Sequence, residues 1–182
     1  LELIALLNAD VDRSGVAIEN RRIPGPVGAP DIPVRIYSPE GLDKTVPGIL
    51  HIHGGGFVIG DLDSELGSCV ALCRNLGVVV VSVDYRLAPE TPYPGPLEDC
   101  YAALKWMSSN SAQLKIDPAR LAVFGLSAGG GLSAATALLA RDRAGPPICF
   151  QYLGIPELDD RLQTPSMLRF VDTPMWNRPN AE

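Results

Sequence analysis

Between residues 46 and 142, short apolar runs alternate with helix-length segments, and no other feature restricts the possible folds as strongly. Strand, helix and strand in succession fold as βαβ units, giving a parallel sheet with helices on both faces. Residues 46–52 read as a strand ending at a run of glycines, and residues 64–76 as a helix with Ser64 as N-cap and Gly77 as its stop. Val78-Val79-Val80-Val81-Ser82-Val83 is almost wholly β-branched, which predicts a strand in mid-sheet, buried on both faces. The next helix spans residues 96–109, with Pro96 at its start and Leu97, Tyr101, Leu104 and Met107 on one stripe. A strand at 121–125 leads into a helix at 128–143 that lacks a polar face, which predicts burial nearly all round before Gly145, Pro146 and Pro147 end it. Residues 148–153 form the last strand, with an apolar edge expected to pair with another chain. Upstream, residues 21–23 and 32–37 flank a turn-rich stretch opening with Pro24-Gly25-Pro26 and read as an antiparallel hairpin. Residues 1–7 have apolar positions at helical spacing, whereas the proline-rich residues 163–182 show no period.

A content of 46% hydrophobic and 20% charged residues suits one globular core. Because α/β domains commonly run to about 200–250 residues, a 182-residue chain starting at Leu1 is expected to be part of a longer protein. The net charge of −6 disfavours nucleic acid and anionic membranes as partners, since both would repel it. A membrane span needs about 18 apolar residues; the sequence has no such run, so a cytoplasmic location is expected. The four cysteines form no CxxC and no Cys/His cluster, and all read as buried free thiols. Cys69 and Cys73 lie one helical turn apart, stacked on a face and not aimed for a disulfide. His51 and His53 make an HxH pair without a third ligand, so no metal is expected.

Two glycine-rich segments carry the chemistry. Gly125-Leu126-Ser127-Ala128-Gly129 joins a strand to a helix, as a nucleophile elbow requires. The turn brings the two backbones so close at Gly125 and Gly129 that a β-carbon would clash, which explains both glycines. Ser127 then sits at a helix N-terminus, where the dipole favours developing negative charge and the Ala128 amide faces the substrate oxygen. The motif is weak alone, since a serine at any glycine-rich turn would match it. His53-Gly54-Gly55-Gly56-Phe57 supplies the context: its glycines let the backbone aim amides at a carbonyl oxygen becoming an oxyanion, with Gly55 and Gly56 as the donors. His53, like Gly54, is read as holding this loop and not as a base, because the triad order on such a fold is serine, acid, histidine. No histidine follows Ser127.

Taken with Ile23-Pro24-Gly25-Pro26, Asp84-Tyr85-Arg86-Leu87-Ala88-Pro89-Glu90, Tyr93-Pro94 and residues 99–106, these motifs resemble the bacterial hormone-sensitive-lipase family of α/β-hydrolase carboxylesterases. The resemblance runs from Ile23 to Gly130. It implies an α/β-hydrolase fold lacking its last strands, with a core over residues 20–155 and cap segments at 1–19 and 156–182. It also implies hydrolysis of short to medium acyl esters without a cofactor, Ser127 as nucleophile, Gly55, Gly56 and Ala128 as oxyanion donors, and a structural role for Asp84, Tyr85, Arg86 and Pro89. The family usually carries an acid where Leu126 stands, and its catalytic Asp and His come from later strands. Asp159, Asp160 and Asp172 fall in the cap-like region and receive no triad role. The other reading is a non-catalytic ligand-binding module on the same fold, similar to the gibberellin receptor.

Overall fold

A computed structural model describes residues 8–174 and 176–181, so the helix expected over residues 1–7 lies outside the described residues. Six strands form one sheet: β1 (Val16–Ile23), β2 (Ile32–Pro39), β3 (Val46–Ile52), β4 (Val79–Val83), β5 (Ile116–Leu126) and β6 (Phe150–Gly154). Their spatial order is β1-β2-β4-β3-β5-β6. The β1/β2 and β2/β4 pairs are antiparallel, while β4/β3, β3/β5 and β5/β6 are parallel. The helices α1 (Leu66–Leu76), α2 (Gly95–Ser109), α3 (Ser111–Leu114) and α4 (Ala128–Asp142) make the crossovers. Two short helices follow, α5 (Pro165–Arg169) and α6 (Arg178–Ala181), in the segment where the sequence shows no period.

The valine run behaves as its composition predicts. All five residues of β4 are buried. Val79, Val81 and Val83 enter the core under α2 and α4, while Val80 joins Leu66, Val70 and Cys73 on the α1 side. This two-period alternation at the centre of the sheet buries a row of side chains on each face, each contributing roughly 1.5–3 kcal/mol. On α2 the expected stripe of Leu97, Tyr101, Leu104 and Met107 is buried.

Several expectations change. Helix α1 starts at Leu66, with Glu65 and not Ser64 as its N-cap and no side-chain cap bond. The Asp61 carboxylate already holds the amides of Asp63 and Ser64 and the Ser64 hydroxyl, so the capping turn forms earlier in the chain. Gly77 stops α1 as expected, in the left-handed region, donating to the Cys73 carbonyl. Helix α4 is not buried all round. Leu138 is exposed, and Ala134, Ala137, Leu138, Pro147, Ile148 and Gln151 line an open apolar hollow of about 790 Å³ against β6. An apolar face reports a need for cover without supplying it. Cys69, Cys73 and Cys100 are buried free thiols, but Cys149, just before the edge strand β6, is exposed. Among the described residues, no helix is long and apolar enough to cross a membrane.

Candidate active site

Strand β5 passes into α4 through Ser127, whose φ of 55° and ψ of −122° lie in a region that non-glycine residues rarely adopt. The Ser127 amide donates to the Gly154 carbonyl at 2.8 Å and its carbonyl accepts from Gly131 at 3.0 Å, so both neighbours pin the bend. A β-carbon on Gly125 would lie 2.1 Å from the Gly129 carbonyl oxygen, and one on Gly129 would lie 2.1 Å from that of Ile52. Only glycine fits either position.

The loop after β3 arrives beside this bend. A β-carbon on Gly54 would stand 3.0 Å from the Leu126 oxygen and 3.7 Å from the Ser127 β-carbon, so a side chain at this position would press on the bend. Gly55 and Gly56 have φ of 117° and 58°, which turn the backbone back on itself. The Gly55 carbonyl takes the amides of Val58 and Ile59. Among the described residues, the amides of Gly55, Gly56 and Ala128 donate to no protein acceptor.

His53 holds this loop. It is buried, its Nδ1 lies 2.7 Å from the Gly54 carbonyl oxygen, and its ring stacks on Tyr85 at 4.2 Å. The Tyr85 hydroxyl donates to the His53 carbonyl at 2.9 Å, and the Ala88 amide donates to the Phe57 carbonyl. Burial lowers the His53 pKa, against the opposing pull of its bond to Gly54. The turn bearing Tyr85 is anchored by Asp99 of α2, wholly buried, whose carboxylate accepts from the Arg86 amide, Nε and Nη2 at 2.7–3.0 Å. His51 is also buried; it stacks on Phe124 and its pKa is pushed down to about 3 by burial.

The Ser127 hydroxyl donates to Oε1 of Glu157 at 2.7 Å. Glu157 lines a cleft of about 680 Å³ together with Gly56, Phe57, Tyr93, Leu97 and Trp176. The Trp176 ring approaches within 3.5 Å of where a Gly56 β-carbon would sit.

A family model described as the alpha/beta hydrolase fold matches residues 49–182. The chain belongs to the α/β-hydrolase family. Carboxylesterase NlhH of Mycobacterium tuberculosis (strain ATCC 25618 / H37Rv) is 45% identical over 161 residues, which are 88% of this chain and 50% of NlhH. Among solved structures, a bacterial heroin esterase superposes with a TM-score of 0.95 at 51% identity, over 99% of this chain and 57% of that one. Esterase LipW from Mycobacterium marinum gives 0.85 at 41% identity, over 99% and 55%. The chain therefore spans about half the length of the relatives it matches.

In this fold Ser127 and Ala128 stand at the start of α4, and the glycine loop bearing His53 passes beside them. Asp159 and Asp160 line the same cleft, but Asp159 is held by the Arg161 guanidinium and amide. Asp172 stands apart from that lining. Glu157 is the residue that sequence reasoning missed. Its signal was positional: it lies three residues past the end of β6, at the carboxyl end of the sheet where open α/β folds bind ligands. Among the described residues, no group of three metal-ligating side chains occurs.

Proposed function

We propose that the protein is a carboxylic ester hydrolase acting on short to medium acyl esters, with Ser127 as its nucleophile. Ser127 attacks the ester carbonyl, and the oxygen gathers charge against the amides of Gly55, Gly56 and Ala128 at the N-terminus of α4. The observation that carries this reading is the strained Ser127 at the start of α4 beside a glycine loop where a β-carbon on Gly54 would come 3.7 Å from its β-carbon, with the amides of Gly55, Gly56 and Ala128 donating to no protein acceptor among the described residues. Gly125 and Gly129 permit the bend, while His53 and Gly54 hold the loop. A cap beginning at 156–182, with Trp176 set over Gly56, fits over the core expected at 20–155; of the other cap segment expected at 1–19, residues 16–19 belong instead to β1 of the core sheet.

Both histidines of the chain are buried, and their rings stack on Phe124 and Tyr85. The triad base and its acid accordingly belong to a further part of the whole protein, as the half-length coverage of its relatives suggests. The binding-module reading is not favoured, because the relatives named above are esterases.

Turnover of p-nitrophenyl butyrate by the whole protein tests the assignment. Ser127→Ala should lower kcat by roughly 10³-fold or more, leaving only the residual rate from the oxyanion cradle and binding. A parental rate in that variant refutes it.

A further inference from the structure

We infer that Trp176 is a specificity-determining residue: its ring closes the acyl side of the cleft and sets the longest acyl chain the protein takes, an inference that rests on the reading of Ser127 as nucleophile. The Ser127 hydroxyl is bonded to Glu157, and Glu157 lines the cleft of about 680 Å³, so the cleft opens on the reacting oxygen. A space of that size is usual for a small-molecule site.

The floor of the cleft is apolar and fixed. Leu97 of α2 and Leu132 of α4 are buried core residues that reach its surface, and Phe57 packs against the same core. Close-packed side chains of this kind yield little room to a longer substrate. The opposite wall is the segment after β6. A β-carbon on Gly131 would fall 2.4 Å from the Glu157 carbonyl oxygen, so this segment lies directly on the first turn of α4 and brings Leu158 into the lining.

Trp176 joins that wall to the glycine loop. Its ring comes within 3.5 Å of where a Gly56 β-carbon would sit, directly against one of the oxyanion donors. A turn of its own holds it there. The Trp176 amide donates to the Pro174 carbonyl, the Thr173 hydroxyl donates to the Trp176 carbonyl, and the Asn177 side-chain amide donates to the Thr173 carbonyl. An indole turns about only two side-chain bonds, so on a pinned backbone it makes a stiff stop.

The orientation of the ester follows from where its parts must go. The carbonyl oxygen faces the amides of Gly55, Gly56 and Ala128, and the leaving alcohol turns towards the base, which belongs to a further part of the protein. The acyl chain is the substituent left to the cleft, and it runs past Gly56 towards Trp176. A short chain ends before the ring, whereas a long one meets it.

Two ester series on the whole protein test this. In one, the acyl group of p-nitrophenyl esters grows from acetyl to decanoyl; in the other, the alcohol of alkyl butyrates grows from ethyl to octyl. In Trp176→Ala the kcat/KM for the decanoate relative to the butyrate should rise about 10-fold or more, the discrimination that a hydrophobic pocket exerts on chain length. Trp176→Phe, which keeps a smaller ring on the same turn, should give a lesser rise. The ratios along the alcohol series should stay at their wild-type values in both variants. A merely structural role would lower every ester alike, so wild-type acyl ratios in the folded variants, checked by circular dichroism, overturn the proposal. So does a shift that appears in the alcohol series in place of the acyl series. Failure of the nucleophile reading would appear differently, as ester turnover that survives Ser127→Ala.

Discussion

At the scale of residues, the positions that matter most have neighbours allowing no alternative. Ser127 holds a left-handed φ between two glycines that abut backbone carbonyls, and such strain persists only where the surroundings over-determine it. His51 and His53 illustrate the reverse case, titratable groups made inert by burial. Burial lowers the pKa of His51 from 6.5 to about 3, so the unfolded chain binds its proton first. Its stabilising contribution is complete above pH 6.5 and is lost as the pH falls from there towards 3. Between pH 7.5 and 4.5 the folded state should lose about 2–3 kcal/mol through this group, and His53 acts in the same direction. Urea midpoints at the two pH values, for wild type and for His51→Phe, check this: the variant should lose much of the slope. An unchanged slope contradicts the burial argument.

At the scale of elements, the loop after β3 is braced through a chain of contacts that begins on α2. Asp99 grips Arg86, the turn carries Tyr85, and Tyr85 holds the His53 carbonyl. Asp99→Ala leaves the guanidinium without its carboxylate. The guanidinium is partly exposed, so the expected cost is about 2–3 kcal/mol, less than the roughly 3–5 kcal/mol for breaking a fully buried pair. Thermal unfolding should show it, together with lower ester turnover as the glycine loop loosens; an unshifted midpoint would mean that the brace is dispensable. The central strands and α2 were legible in the sequence because β-branched runs and one apolar stripe each have a single burial solution. Strand β1 was legible only at its end, residues 21–23: Glu19 and Asn20 occupy an edge strand paired to β2 alone, and their polarity hides the strand pattern. Ser64 misled because Asp61 had already formed the turn. The glycine loop and the elbow were readable since each requires a rare backbone, whereas Glu157 meets Ser127 through packing of β6 on α4 that no local pattern encodes.

At the scale of the whole molecule, the sheet ends at β6, whose Phe150 and Tyr152 are exposed beside the apolar hollow along α4. An exposed apolar edge of this kind is open to pairing with a further strand. The 182-residue chain should therefore associate in sedimentation velocity, and Leu138→Lys with Tyr152→Lys should shift it towards monomer. A well-folded wild-type monomer would contradict this. The central claim is that a strained serine and an amide cradle converge on one point, and stoichiometric labelling of the whole protein with a fluorophosphonate tests it most directly. Peptide mapping by mass spectrometry should find one adduct, on Ser127, formed in step with loss of esterase activity. An adduct confined to another residue, or full activity after Ser127 is modified, would contradict the account.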